Sequence, residues 1–217
     1  MTNSAFDAVL STLLDARRLT GVTVKSGRIL TTVQQLKHDG TGYVTQLWDV
    51  TDTPVQLTHG DDSVSAVEQA DDGQVLFLSS RPAAANDPDA PTEAGARLWV
   101  LPATGEPRVL AQRTWGFTGL KVAADKLVVT MQWHSGATTH QQHEELAATR
   151  DQAKVTGVVY SQFPTRYWDQ DLPAGRTVFG VAPIPNAGQR PEFIRINLPP
   201  GRLVNWHLDA RATFALV

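Results

Sequence analysis

The sequence predicts an all-β protein, a partial β-propeller of about three and a half four-stranded blades with an N-terminal helix and a helical insertion in blade three. Three observations predict it. Short apolar or alternating stretches follow one another along most of the chain, separated by turn signals such as Lys25-Ser26-Gly27, His38-Asp39-Gly40, Gly60-Asp61-Asp62 and Asp71-Asp72-Gly73. Similar segments return at a period of about 50 residues, the range of a propeller blade. LWDVTDTPVQL (47–57) resembles LWVLPATGEPRVL (98–110), with Trp48 matching Trp99 and Leu57 matching Leu110, and Asp72 matches Asp125 in the segments that follow. Finally, 217 residues that are 41% hydrophobic and 19% charged can bury a sizeable core, and with no cysteine they do so without disulfides.

Residues 1–20 form an amphipathic segment. Phe6, Val9, Leu10, Leu13 and Leu14 repeat at helical spacing, and Arg17 and Arg18 fall near the end, where cations suit the helix dipole. The propeller domain is expected over 21–217. Blade one runs from about 21 to 58, with strands around Ile29–Val33 and Tyr43–Trp48. Blade two runs from about 64 to 111, with strands at Val64–Val67, Val75–Leu78 and Leu98–Leu101. Blade three begins near Thr114 and carries an insertion at about 134–160; its third strand is expected at Thr177–Ala182 and its fourth at Glu192–Ile196. A fourth unit opens at 203–217, with Asp209-Ala210-Arg211 as its first turn. A closed ring needs at least four blades, so the chain is expected to be part of a longer protein.

The formal net charge is −3. Such a chain lacks the basic face that nucleic acid or a membrane surface would require, and neither partner is expected. The N-terminus has no basic region before its apolar stretch, which Asp7 and Asp15 interrupt, so the expected compartment is the cytoplasm. No Gly-x-Ser-x-Gly, G-x-G-x-x-G, P-loop or H-E-x-x-H occurs, and thiol catalysis is excluded by the missing cysteine. No catalytic residue, metal or cofactor is therefore assigned.

Two stretches concentrate chemically capable side chains. His134, His140 and His143 precede Glu144 and Glu145. His140, His143 and Glu144 on one helix would offer metal ligands, but residues 139–154 read as a polar surface helix whose His and Glu are solvated. The second stretch is QFPTRYWDQDLPAGR (162–176). Either Arg166, Trp168 and Asp169 face the channel and recognise a peptide terminus, or Tyr167 and Trp168 pack between blades while Arg166 and Asp169 pair.

GYVTQLWDV (42–50), GQVLFLSSRP (73–82), ARLWVLPATGEPRVL (96–110) and KVTGVVYSQFPTRYWDQDL (154–172) carry a resemblance that covers nearly all of residues 20–217. They resemble the N-terminal β-propeller of prolyl-oligopeptidase-type serine peptidases, in the acylaminoacyl-peptidase and dipeptidyl-aminopeptidase branch. The last segment is the most specific, although Gln170 stands where that family has His and Pro173 where it has Gly. The resemblance implies a C-terminal α/β-hydrolase domain carrying Ser, Asp and His, none of which maps onto this chain. It also implies a non-catalytic role: the propeller gates the access of short peptides to that domain. The partners implied are the hydrolase domain or the remaining blades, and short peptides. The alternative is a stand-alone WD-repeat or TolB-like module that binds a protein or peptide. A propeller enzyme of another class would need carboxylates converging on one rim, whereas the Asp residues fall mainly at hairpin turns.

Overall fold

A computed structural model describes residues 4–82, 95–155, 157–158, 166, 175–186, 188–198, 203, 205–212 and 215–216. Helix α1 (Ser4–Asp15) leads into a four-stranded meander: β1 (Arg18–Lys25), β2 (Arg28–Leu36), β3 (Tyr43–Asp49) and β4 (Val55–Gln56). The same order recurs in β5 (Val64–Gln69), β6 (Val75–Ser79), β7 (Arg97–Leu101) and β8 (Arg108–Ala111). It recurs again in β9 (Phe117–Ala123), β10 (Lys126–His134), β11 (Gly175–Pro183) and β12 (Ile194–Asn197), with helix α2 (His140–Gln152) between β10 and β11. A final hairpin joins β13 (His207–Leu208) to β14 (Ala215–Leu216). The pairings among these strands are all antiparallel. The expected all-β partial propeller is thus the observed fold, with three four-stranded sheets and the opening of a fourth unit.

Side-chain alternation explains how the sheets stack. Both faces of a middle blade are covered, so its strands read as unbroken apolar runs. In β6 every residue of VLFLS is buried. Val75 and Phe77, with Trp99, face blade one and pack on Leu30 and Leu47. Leu76 and Leu78, with Leu98 and Val100, face the other way and pack on Phe117, Leu127, Val129 and Val178 of blade three. Val128 and Phe179 then meet Trp206 at the start of the fourth unit. One strand alternation thereby feeds two successive cores.

The tryptophans matched in sequence occupy matched sites. Trp48 on β3 lies opposite Thr31 and Gln56; Trp99 on β7 lies opposite Phe77 and Val109. Trp99 stacks against Phe77 at 6.2 Å between ring centroids. A repeat signature escaped the sequence reading. Each first strand carries a bulge beside a hydroxyl residue, at Thr20, Ser65 and Thr118. Thr20 donates its hydroxyl to Thr32 Oγ1 at 2.9 Å, and Thr118 and Thr130 share a hydrogen bond of the same length. Gly21 and Gly119 follow; a Cβ on Gly119 would sit 2.5 Å from Thr130 Oγ1, so glycine is required for the close approach.

The N-terminal boundary departs from the expectation in one respect. Arg17 and Arg18 do not cap α1. Arg18 opens β1 with its guanidinium over the Tyr43 ring, and Arg17 lies over Trp48 at 5.2 Å from the ring centroid. Cation–π contact on the outer face of blade one replaces the weaker attraction of a helix end. Among the described residues, no helix is long and apolar enough to cross a membrane.

Candidate functional site

Because the blades share one strand order, their first strands come together. β1 packs on β5, β5 on β9, and β13 follows β9. The ends of these strands and the tight turns after them surround a cavity of about 500 Å³, lined by Lys25, Glu68, Asp71, Lys121, His207 and Asp209 among others. The turns are built for sharp reversal: Ser26-Gly27, Gly73 and Ala124 all have positive φ.

Charged pairs bridge the blades around this axial mouth. Lys25 Nζ lies 2.8 Å from Asp71 and donates to the Gln69 carbonyl at 3.1 Å. Lys121 Nζ lies 3.3 Å from Glu68. Burial pushes the Glu68 carboxyl up from the ordinary carboxylate range, against the pull of Lys121 and Lys25. The Gln69 amide donates to the carbonyls of Thr23 and Arg28 in blade one. The mouth presents both signs of charge on strand ends, paired across adjacent blades.

A second site forms where α2 closes over blades two and three. The Thr139 hydroxyl accepts from the Gln142 backbone N–H and the Gln142 side chain reaches back to Thr139, so the helix begins with a capping box. One face of α2 buries Ala147 and His143. The His143 ring stacks on Trp133 at 4.7 Å and meets Trp115 edge-on at 5.3 Å. Its Nδ1 accepts from the His134 backbone N–H at 3.1 Å, while Nε2 faces the Thr114 carbonyl at 3.4 Å, the arrangement of a neutral imidazole with its proton on Nε2. Burial pulls the pKa of His143 below the usual histidine range, partly offset by the Thr114 carbonyl and Glu144. His140 is held down by burial and then by Arg113.

Residues 139–154 form the expected polar, mostly helical surface stretch, and the correction concerns His143, which is buried and not solvated. His143 is 1% exposed. A polar helix is held by one imidazole slotted between indoles, an anchor that a search for apolar periodicity passes over. Both ring nitrogens of His143 are engaged, and among the described residues no group of three His, Cys, Asp or Glu is arranged to hold a metal ion. Glu145 accepts from Gln141 on the exposed face of α2.

Beside this cluster is a cavity of about 230 Å³ between β8 and α2, lined by Arg113, Thr114, His140, Glu144, Arg190 and Pro191 among others. Thr114 donates both its N–H and its hydroxyl to the Glu144 carboxylate, which also lies 3.7 Å from His140 Nε2. Of the residues expected to recognise a peptide terminus, Arg166 is exposed. Trp168 and Asp169 lie outside the described residues.

Stacked four-stranded meanders with their first strands gathered at one axial mouth define the class: a β-propeller, here in part. No protein-family model matches the chain, and no curated protein sequence matches it. Among solved structures the chain is similar to acylaminoacyl peptidase of Pyrococcus horikoshii, with a TM-score of 0.54 and 11% identity, over 85% of this chain and 26% of that one. It is also similar to acylaminoacyl peptidase in complex with Z-Gly-Gly-Phe-chloromethyl ketone, with a TM-score of 0.50 and 10% identity, over 79% of this chain and 24% of that one. The likeness at this identity is one of fold, and the chain spans about a quarter of each neighbour's length.

Proposed function

We propose that this chain is the propeller portion of a prolyl-oligopeptidase-type serine peptidase, and that it gates the access of short peptides to an α/β-hydrolase domain outside these 217 residues. The observation that carries the reading is the gathering of β1, β5, β9 and β13 around one charged axial mouth, in a fold shared with a quarter of acylaminoacyl peptidase. A ring of strand ends admits an extended chain and turns away a folded one, because a folded domain is far wider than a single peptide strand. Catalysis would belong to the hydrolase domain, since an acyl-transfer site needs an activated nucleophile and an oxyanion hole.

The test uses the hydrolase domain encoded downstream of Val217, expressed with and without the propeller residues. With them, an acylaminoacyl p-nitroanilide is cleaved and casein is spared; without them, casein is degraded. Equal casein cleavage by both forms would overturn the gating role. A downstream sequence with no Gly-x-Ser-x-Gly module would overturn the assignment.

A further inference from the structure

Helix α2 lacks the apolar stripe that usually docks a helix on a sheet. Two of its 13 residues are buried, His143 and Ala147, and Leu146 is exposed. A helix that is polar on most of its surface needs specific partners to stay docked. One link is the Glu144 carboxylate, which accepts from the N–H and hydroxyl of Thr114. The larger one is the His143 ring, set between the indoles of Trp115 and Trp133.

That ring fits in one protonation state. Its Nδ1 accepts from the His134 backbone N–H at 3.1 Å, so a proton on Nδ1 would set two donors against each other. An indole attracts a cation, but the Trp133 ring already carries the Arg195 guanidinium at 4.6 Å from its centroid. Charged and titratable groups reach the cluster from every element packed there. They are His134 at the end of β10, Arg113 between β8 and β9, Arg195 on β12, and His140 and Glu144 on α2 itself. Arg190, ahead of β12, lines the cavity beside His140 and Glu144. His134 and Arg113 oppose a proton on His143, the Thr114 carbonyl and Glu144 attract it, and burial outweighs that attraction.

Trp115 adds a bias toward release. Its φ is 65°, a left-handed conformation that bulky side chains rarely adopt. Gly116 behind it runs hard against the entry to β7: a Cβ there would lie 2.5 Å from the Ala96 backbone nitrogen. In front, the Trp115 ring is held by His134 and His143. Backbone strain of this kind persists only where the surroundings over-determine it, and departure of His143 removes one of those constraints.

We propose that α2 is an acid-released lid: protonation of His143 undocks the helix from Trp115 and Trp133 and opens the cleft between blades two and three, while the blades stay folded. The cavity of about 230 Å³ between β8 and α2 is the space that widens, since Thr114 lines one wall and Glu144 leaves with the helix. Docking is complete above the pKa of the released imidazole, about 6.5, and weakens as pH falls below it.

Hydrogen exchange followed by mass spectrometry on the 217-residue chain tests it, read as protection factors at pH 7.5 and 5.0. Protection of residues 140–152 should fall roughly tenfold at the acid pH, while residues 75–79 of β6 keep theirs. His143→Phe, which keeps the ring stack, and His143→Gln, which keeps a neutral donor and acceptor, should each abolish that fall. An equal fall in either variant would remove His143 as the trigger and overturn the proposal. Unchanged protection of α2 would overturn it, and so would α2 and β6 losing protection together, which is global acid unfolding. In the parent chain, the imidazole 15N shifts of His143 should titrate over the same pH range as the loss of protection, a reading that stands even if both variants disturb docking. Titration of His143 with α2 still protected would overturn the release.

Discussion

His143 shows how much one side chain can decide. With Ala147 it forms the buried face of a polar helix on a sheet, and it packs there as a neutral ring, because its Nδ1 accepts from the His134 backbone while its Nε2 proton points to Thr114. A second proton on Nδ1 would face an N–H donor. Burial, His134 and Arg113 disfavour the imidazolium; the Thr114 carbonyl and Glu144 favour it, and burial outweighs them. With the folded pKa below the unfolded value of about 6.5, the unfolded chain takes up its proton first as pH falls. Stability is therefore full above that value and declines below it. Thermal melts at pH 7.5 and 5.5 should show a lower Tm at the acid pH, and His143→Phe, which keeps the stack, should shrink the difference. The same difference in both proteins would remove His143 from the account.

At the scale of elements, α2 is the one most exposed to test. Its capping box satisfies N–H groups that the first helical turn leaves free, and Thr139→Ala removes a contribution of about 1 kcal/mol. Trypsin should then cut at Arg150, in the last turn of α2, several-fold faster than in the parent chain; an unchanged rate would mean that His143 alone holds the helix. The strands and turns were legible in the sequence because hairpin chemistry is local: Gly27 and Gly73 mark the turns they make, and Trp48 and Trp99 recur at one blade position. Strand limits in blade three moved only slightly, to Gly175–Pro183 and Ile194–Asn197. What was not legible depends on partners distant in sequence. Arg17 left the helix end for an indole on β3, and His143 was read as solvated because Trp115 and Trp133 lie outside its helix. The recurring Thr-Gly bulge was visible in the letters, as Thr20-Gly21 and Thr118-Gly119 with a threonine twelve residues after each first threonine, but its meaning needed the register.

For the whole molecule, the outer faces matter most. Leu19, Val22 and Val24 on β1 are 72%, 64% and 63% exposed, and Ile194 on β12 is 73% exposed. Covering such surface contributes roughly 25 cal/mol per Å², and exposed apolar strands invite pairing with other chains. Light scattering should therefore show that these 217 residues associate at micromolar concentration, and Val22→Thr with Val24→Thr should lower the associated fraction. A monodisperse parent chain would show that the flanks are covered within the protein itself.

The packing of each blade on the next makes the molecule behave as a short one-dimensional lattice. Leu30 and Leu47 couple blade one to blade two, and Leu127 and Val129 couple blade three to it. In such a lattice the free energy is close to a sum of units and the couplings between adjacent units. Position along the array then decides the effect of damage. A lesion at Leu30 shortens the array from one end and leaves blades two and three joined. A lesion in β6 removes the shared unit, because Phe77 and Leu78 lie on opposite faces of the same strand and serve different neighbours. The central blade is thus the unit through which a disturbance at one flank is passed to the other.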